Sequence, residues 1–309
     1  MNKSEDTKPD AIVGIKLDIG FSTQKLYKKL YGNRKIPEYL AEIGFTVVET
    51  PTGLETEKEA LREHVVCCCD AGLKTSLHAY SENTASNPAF FSLDENNLCR
   101  SFHQRFLSLA AEVSCLQQSP TVVNIHPAAG SSKDSRRDLI ERSVSFFSWA
   151  HEWCCRNAPE VHLVAELQIS PNPDEPIQRI GDTYDELLDI VTRSNIQACW
   201  DFGHAYLNTR RYGVQLYPPD ELLPRIGHVH CHDVHGDDHH PLVYNTVPWN
   251  DFIRLLLNSG FEDIVILEVP PSNFLSAGGI HSLTCSIKAL KNWIKQCKSC
   301  RRNDNELLA

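Results

Sequence analysis

The chain has 309 residues, of which 41% are hydrophobic and 23% charged, a composition typical of a soluble globular enzyme. Its formal net charge of -10 provides no overall basic field, so DNA is a possible partner through a local patch but is not favoured. No apolar run approaches the roughly 20 residues of a membrane helix, and the polar start "MNKSEDTKPD" lacks the apolar core of a signal peptide, so we expect a cytoplasmic protein without a membrane partner.

Short runs rich in β-branched and apolar residues alternate along the chain with segments of helical periodicity. The predicted strands cover 11–20, 44–50, 73–79, 121–127, 161–168, 196–203, 226–233 and 263–270. This alternation predicts a parallel sheet, and eight strands predict a single closed (β/α)8 TIM barrel. Because no linker or composition break divides the chain, we expect one barrel over 11–297, with polar tails at 1–10 and 298–309.

Potential metal ligands recur near the carboxyl ends of the predicted strands. They are His78, His126, Glu166, Asp201, His204, His230, Asp237, His239 and Glu268. The carboxyl ends of barrel strands meet at one mouth, so these side chains are expected to converge. Glu166 and Glu268 lie in the apolar runs "LVAEL" and "VILEV", where an unpaired charge would be costly to bury. A shared divalent cation is the simplest common explanation.

The stretch "HVHCHDVHGDDHH" begins in the seventh predicted strand. Side chains alternate along a strand, so His228, His230 and His232 point the same way, into the barrel. His230 lies at the level of the other candidate ligands, whereas His228 is expected to be structural and His232 to line the wall and contact substrate. The spacing of Asp237 and His239 allows one loop to contact a metal ion twice.

Together these segments resemble the xylose-isomerase-like TIM-barrel superfamily, which includes endonuclease IV (AP endonuclease family 2) and sugar isomerases and epimerases. The resemblance runs from about residue 11 to 295 and rests on "GFTVVET", "SLHAYSENTA", "NIHPAAG", "AEL", "DFGHA", "HCHD", "DDHH" and "LEV". In endonuclease IV-like proteins these positions build a three-zinc cluster. The resemblance therefore implies one ion on His78, His126 and Glu166, a second on Glu166, Asp201, His230 and Glu268, and a third on His204, Asp237 and His239.

The first functional hypothesis is a hydrolase of a phosphate ester or phosphodiester that uses up to three zinc ions to activate water. Such a site also needs groups that bind an anion at the barrel mouth. The loop after the fourth strand supplies Lys133, Arg136 and Arg137, and the segment after the sixth supplies Arg210 and Arg211. We expect these side chains to contact the phosphate of a small-molecule substrate.

The alternative hypothesis is a sugar or sugar-phosphate isomerase or epimerase. In that branch of the superfamily a single Mn²⁺ or Mg²⁺ is held by the equivalents of Glu166, Asp201, His230 and Glu268. Glu166 and Glu268 would then be the catalytic pair that moves a proton at the adjacent carbon, and His204 would bind substrate. A third possibility is a barrel that binds metal without turnover.

Overall fold

The computed structural model describes residues 12–79 and 86–307, with side chains up to residue 297, so the predicted tail at 1–10 lies outside the described residues. The described strands are β1 (Ile12–Lys16), β2 (Val47–Thr52), β3 (Lys74–Ala79), β4 (Thr121–Ile125), β5 (Ala129–Ser131), β6 (Val161–Glu166), β7 (Ile177–Arg179), β8 (Gln197–Asp201), β9 (Ile226–Cys231), β10 (Asp233–His235), β11 (Asp237–His240) and β12 (Ile264–Leu267). Eight of them form a closed parallel barrel in the order β1-β2-β3-β4-β6-β8-β9-β12. The predicted single TIM barrel is confirmed.

Helices follow the barrel strands and cover the outside of the barrel. They are α1 (Lys25–Tyr31), α2 (Ile36–Ile43), α3 (Lys58–Asp70), α4 (Leu98–Gln117), α5 (Arg136–Asn157), α6 (Tyr184–Ser194), α7 (Phe202–Tyr212), α8 (Trp249–Asn258), α9 (Pro271–Ser276) and α10 (Ile280–Leu307). The last helix extends through most of the predicted tail at 298–309. Over the described ranges, no helix combines the length and apolarity needed to cross a membrane.

Aromatic packing fixes the junction between β8 and α7. The ring centroid of Trp200 lies 4.7 Å from that of Phe202 and 4.9 Å from that of Phe252 in α8, and all three side chains are fully buried. Buried aromatic side chains contribute large apolar areas and restrict the backbone that carries them. The junction therefore holds Asp201 and His204, which lie on either side of Phe202, in a defined position.

A short antiparallel hairpin, β10–β11, follows β9 at the mouth of the barrel. The buried carboxylate of Asp233 accepts hydrogen bonds from the backbone N–H groups of Val234, Thr246 and Val247. These bonds satisfy backbone donors at the start of the hairpin and in the segment that follows it. They fix the position of β11, which contacts α7 and carries His239.

Candidate metal centre

Four buried side chains converge at the carboxyl ends of the barrel strands. Glu166 ends β6, Asp201 ends β8, His230 lies in β9, and Glu268 directly follows β12. One potential ligand atom from each side chain lies within 4.8 Å of those of the other three. We refer to Glu166, Asp201, His230 and Glu268 as the four-ligand group.

Within the four-ligand group, the Nδ1 atom of His230 lies 2.7 Å from Oε2 of Glu268, 3.5 Å from Oε2 of Glu166 and 3.9 Å from Oδ2 of Asp201. Nδ1 of His230 and Oε2 of Glu268 are both buried and make no hydrogen bond of good geometry. Buried polar atoms without partners are costly unless a ligand satisfies them. Three carboxylates and one imidazole are also ligands that divalent cations accept, so the donor set fits a metal ion.

Neighbouring basic side chains favour the ionised form of the three carboxylates of the four-ligand group. Burial alone would raise the pKa of Glu268, but His230 and Lys16 hold it well below its usual range. Burial likewise acts to raise the pKa of Glu166, and His126 and His230 lower it well below its usual range. Burial would lower the pKa of His230, yet its neighbours, including Glu268, raise it well above the ordinary value. Positive charge is therefore strongly favoured at this position.

Asp201 also contacts two residues outside the four-ligand group. Its Oδ1 accepts the backbone N–H of His204 at 2.7 Å and thereby caps α7. Nε2 of His232 lies 3.0 Å from the same oxygen, and Nδ1 of His232 accepts the backbone N–H of His239 at 2.9 Å. Both ring nitrogens of the predicted substrate residue His232 are thus engaged, and its side chain is fully buried. In this arrangement His232 orients Asp201.

A second group lies beside the first and shares Glu166. Nε2 of His78 lies 3.5 Å and Nε2 of His126 3.3 Å from Oε2 of Glu166, and the three side chains can together hold an ion. Burial lowers the pKa of His78 to about 4, so its ring is neutral near pH 7. Neither of its ring nitrogens has a hydrogen-bond partner. The structure therefore brings together all three residues predicted for this site.

The third predicted group is only partly brought together. The ring centroids of His204 and His239 lie 5.6 Å apart, but the side chain of Asp237 is 76% exposed and pairs with His240. Asp238 lies closer, with its carboxylate 3.1 Å from Nδ1 of His239 and 3.9 Å from Nε2 of His204. A regular strand would place residues 237 and 239 on one face, but His239 has a left-handed backbone, with φ 57°, that interrupts this alternation.

His239 lies between two carboxylates that favour its charged form. Burial would lower its pKa, but Glu268 and Asp238 on either side raise it to about 10. Its Nε2 lies 3.5 Å from Oε2 of Glu268. The imidazolium therefore links the hairpin to the four-ligand group through two carboxylates. His204 differs, because its Nδ1 faces the carbonyl of Leu167 at 2.9 Å and its Nε2 is buried without a hydrogen-bond partner.

The cations predicted to bind phosphate do not surround the centre. Nη2 of Arg136 donates to Glu186 at 2.8 Å and also bonds Asp182, so its charge is used to join α5 to α6. Nη1 of Arg211 donates to the carbonyl of Ser170 at 3.3 Å. The remaining side chains, Lys133, Arg137 and Arg210, are exposed. Among the described side chains, no salt bridge joins any of the five to the four-ligand group.

Four residues at the site were missed by the sequence analysis. Nζ of Lys16 donates to Oε1 of Glu268 at 2.9 Å, and Nδ2 of Asn124 donates to Oε2 of Glu166. Glu49, at 0% exposure, contacts His230 and His228, and Asp238 contacts His239. Lys16 and Glu49 are charged residues in the apolar runs "IVGIK" and "FTVVET", which is the signal that identified Glu166. If every charged residue within an apolar run had been treated as a candidate, Lys16 and Glu49 would have been included.

Residues 37–297 match the family model described as a xylose isomerase-like TIM barrel, which spans most of the chain. Among solved structures, a D-tagatose 3-epimerase-like protein is 18% identical, with a TM-score of 0.63 over 96% of this chain and 100% of that one. D-psicose 3-epimerase with D-tagatose, from Clostridium cellulolyticum H10, is 16% identical, with a TM-score of 0.59 over 94% and 98%.

A third structure, the IolI protein with a bound zinc atom, is 14% identical, with a TM-score of 0.63 over 92% of this chain and 98% of that one. At these identities the structures share the fold with this chain. The comparison with curated proteins finds no match. The matched residues include seven of the eight barrel strands, β2 to β12, and every residue of the four-ligand group. The chain therefore belongs to the xylose isomerase-like TIM barrel family.

Proposed function

We propose that this protein is a metal-dependent sugar isomerase or epimerase with one divalent ion, Mn²⁺ or Mg²⁺, at the four-ligand group. The observation that carries the proposal is the convergence of three buried carboxylates and one imidazole whose Nδ1 atom is buried without a hydrogen-bond partner. Oxygen-rich donor sets of this kind suit Mn²⁺ and Mg²⁺. Several similar structures are sugar epimerases, which supports the same proposal.

The proposed chemistry is the transfer of a proton at a carbon next to a carbonyl group. A divalent ion would hold the carbonyl and a neighbouring hydroxyl oxygen of the sugar and draw electron density from the carbonyl. One of Glu166 and Glu268 would accept the proton from that carbon. The other glutamate, which would first take up a proton through its neighbouring side chain, would deliver that proton to the opposite face of the same carbon. The carbon–hydrogen bond that breaks is replaced by a new one, so no other reactant is consumed.

Each glutamate has a basic neighbour that reaches toward the mouth. The side chain of His126 is 40% exposed, and its Nε2 lies 3.3 Å from Glu166. The side chain of Lys16 is 26% exposed, and its Nζ lies 2.9 Å from Glu268. In the proposed reaction, His126 and Lys16 would carry protons between these buried carboxyl groups and solvent. The proposed reaction needs this exchange, because the two glutamates must end each turnover as they began it.

The mouth of the centre favours a neutral polyhydroxylated substrate over a phosphate ester. Lys16 is paired with Glu268, and the imidazolium of His239 lies between Glu268 and Asp238. In the part of the chain that the structure describes, the cations that contact the centre are thus already matched by carboxylates. His126 and Asp238 are partly exposed and can donate to or accept from hydroxyl groups. We therefore propose a ketose sugar as the substrate class.

Exchange of the substrate proton with solvent tests this proposal whichever product the reaction yields. The protein would be stripped of metal, loaded with Mn²⁺ and incubated in D₂O with D-tagatose, D-fructose and other ketoses. We expect deuterium at the carbon next to the carbonyl, detected by mass spectrometry and NMR. Glu166→Gln and Glu268→Gln should each lower exchange by at least about 100-fold, because general acid–base groups contribute about 10²–10⁴-fold.

Glu112→Gln is the matched control, because Glu112 pairs with Lys58 on the surface and the substitution should leave exchange unchanged. Absence of exchange for every ketose with the Mn²⁺-loaded protein would contradict the proposal. Equal exchange in the wild type and both glutamate variants would exclude these residues as the acid–base pair.

A multinuclear phosphate-ester hydrolase is the second candidate, and one observation favours it. His78, His126 and Glu166 offer a second ion site beside the first, and both ring nitrogens of His78 are buried without hydrogen-bond partners. Elemental analysis of protein purified without chelator separates the candidates. One exchangeable ion for each chain supports the epimerase, whereas two or three zinc ions with activity on phosphate esters support the hydrolase.

A further inference from the structure

A cysteine and a histidine face the interior of the barrel below the four-ligand group. Side chains alternate along a strand, so Cys199 in β8 points the same way as Asp201. For the same reason, His228 in β9 points the same way as His230. The Cα atoms of Cys199 and His228 are partners in the barrel sheet. These two side chains therefore lie one layer deeper in the barrel than two of the proposed metal ligands.

The deeper layer and His230 together form a set of potential metal ligands. One potential ligand atom from each of Cys199, His228 and His230 lies within 4.8 Å of those of the other two, and all three side chains are completely buried. We refer to these three residues as the Cys199 group. Nδ1 of His228 is buried and has no hydrogen-bond partner among the described residues. A buried polar atom of this kind is costly unless a ligand satisfies it.

The donors of the Cys199 group differ in kind from those of the four-ligand group. One sulfur and two imidazole nitrogens form a softer set than three carboxylates and one imidazole. Cysteine and histidine together hold Zn²⁺ in structural sites, whereas carboxylate oxygens suit Mn²⁺ and Mg²⁺. A fourth donor lies beside the group, because Oε2 of Glu49 is 2.8 Å from Nε2 of His228. The set is therefore large enough for a four-coordinate ion.

We propose that the Cys199 group is a separate metal site that selects thiophilic divalent ions such as Zn²⁺ and Cd²⁺. His230 belongs to both groups, so an ion held by Cys199 and His228 competes with Mn²⁺ for that imidazole. Occupation of the deeper site would therefore inhibit the proposed reaction. The existence of this site does not depend on the proposed function, whereas the competition rests on the four-ligand group as the place where Mn²⁺ binds.

Cobalt absorption tests the site directly. Co²⁺ bound to a thiolate has an intense sulfur-to-metal charge-transfer band in the near ultraviolet, which oxygen and nitrogen ligands alone do not produce. Metal-free, reduced protein would be titrated with Co²⁺. We expect the band in the wild type and its loss in Cys199→Ala and in His228→Gln. Absence of the band from the wild type, or its persistence in Cys199→Ala, would overturn the proposal.

Two cysteine–histidine pairs on the outer helices provide the controls. Sγ of Cys155 lies 3.6 Å from Nε2 of His151, and Sγ of Cys285 lies 3.5 Å from Nε2 of His281. Cys155→Ala and Cys285→Ala should each retain the band. Cys231→Ala, which removes another completely buried strand cysteine, should retain it as well. Loss of the band in any of these three variants would place the cobalt elsewhere and contradict the proposal.

Release of Mn²⁺, followed by EPR spectroscopy, tests the competition. Cys199→Ala should bind Mn²⁺ with wild-type affinity, because the four-ligand group is intact. Cd²⁺ should release Mn²⁺ from the wild type at a concentration about 10–100-fold lower than from Cys199→Ala, since even the supporting partners of a ligand contribute that much. Equal release from both proteins would show that Cd²⁺ acts at the four-ligand group and would overturn the competition.

The two measurements also separate this inference from the proposed function. If the wild type bound no Mn²⁺, the proposed function would fail, and the cobalt band would still decide whether the Cys199 group holds an ion. If the wild type bound Mn²⁺ but gave no cobalt band, only the Cys199 site would be contradicted.

Discussion

At the scale of single residues, the site depends on a glycine as much as on its charged groups. A Cβ atom at Gly203 would lie 1.9 Å from Cε1 of His232, so the imidazole occupies space that any other residue at 203 would need. That imidazole contacts Asp201, and its Nδ1 accepts the backbone N–H of His239. The small residue in "DFGHA" therefore allows a rigid ring to reach the carboxylate of a proposed metal ligand.

The substitution Gly203→Ala should displace His232 and weaken both stability and metal binding. Insertion of a methyl group into a packed interior costs about 1–3 kcal/mol, and a ring cannot move aside as a flexible chain end can. Denaturant unfolding with and without Mn²⁺ measures both effects.

His232→Ala provides the control, because it leaves room for the added methyl group. In that background Gly203→Ala should be neutral or stabilising by up to about 1 kcal/mol, since alanine is the better helix former. The same loss in both backgrounds would show that His232 is not the group displaced.

At the scale of elements, the β8–α7 junction performs two tasks with one side chain. Asp201 ends a barrel strand, which places its carboxylate at the mouth, and it begins a helix, whose first turn it caps through the N–H of His204. Asparagine can cap a helix about as well as aspartate, whereas alanine cannot. The two tasks can therefore be separated by substitution.

Asp201→Ala should be less stable than Asp201→Asn by about 1 kcal/mol, the usual contribution of an N-cap. Both variants should lose metal affinity, because neither retains the carboxylate. Thermal unfolding of the metal-free variants and calorimetric titration with Mn²⁺ measure the two effects. Equal stability of the two variants would show that the cap contributes nothing measurable, and retained affinity in Asp201→Asn would remove Asp201 from the ligand set.

At the scale of the whole molecule, stability and metal binding are linked through the same charges. The folded-state pKa of His239 is raised from 6.5 to about 10, so its contribution is fully present below pH 6.5 and is lost as pH rises toward 10. The pKa values of Glu166 and Glu268 are lowered, so their contribution is present above their unfolded pKa, about 4.5, and is lost in acid. The contributions of these three residues overlap between about pH 5 and 6.5, so we expect the metal-free protein to be most stable in that range.

Metal binding should become more stabilising as pH rises. The pKa of His230 is raised well above its ordinary value in the ion-free centre, and a bound ion must displace that proton. Below this pKa, the affinity should rise up to about tenfold for each pH unit. The difference in Tm between Mn²⁺-loaded and chelator-treated protein should therefore grow between about pH 6 and 8. A difference that stays constant over this range would contradict the displacement of a proton.

Much of the fold and part of the site could be predicted from the periodicity of apolar residues and from the positions at which the predicted strands end. Strand and helix periods alternate eight times, and a parallel barrel places every strand end at one mouth, so the convergence of Glu166 and Glu268 followed from where their strands end. The same reasoning was available for Glu49. It could not separate Asp237 from Asp238, because that choice depends on the left-handed backbone of His239 within an irregular hairpin.

By itself the sequence determined the barrel, the edge of the barrel that carries the polar residues, and the kinds of ligand present there, because strand periodicity and the cost of buried charge act locally along the chain. Only the tertiary structure decided which groups are paired. Arg136 bonds Asp182 and Glu186, Lys16 bonds Glu268 from a strand 252 residues away, and Glu49 meets histidines 179 and 181 positions later. Such pairings follow from the closure of β1 against β12 and from the width of the barrel interior, neither of which is encoded in any short stretch of sequence.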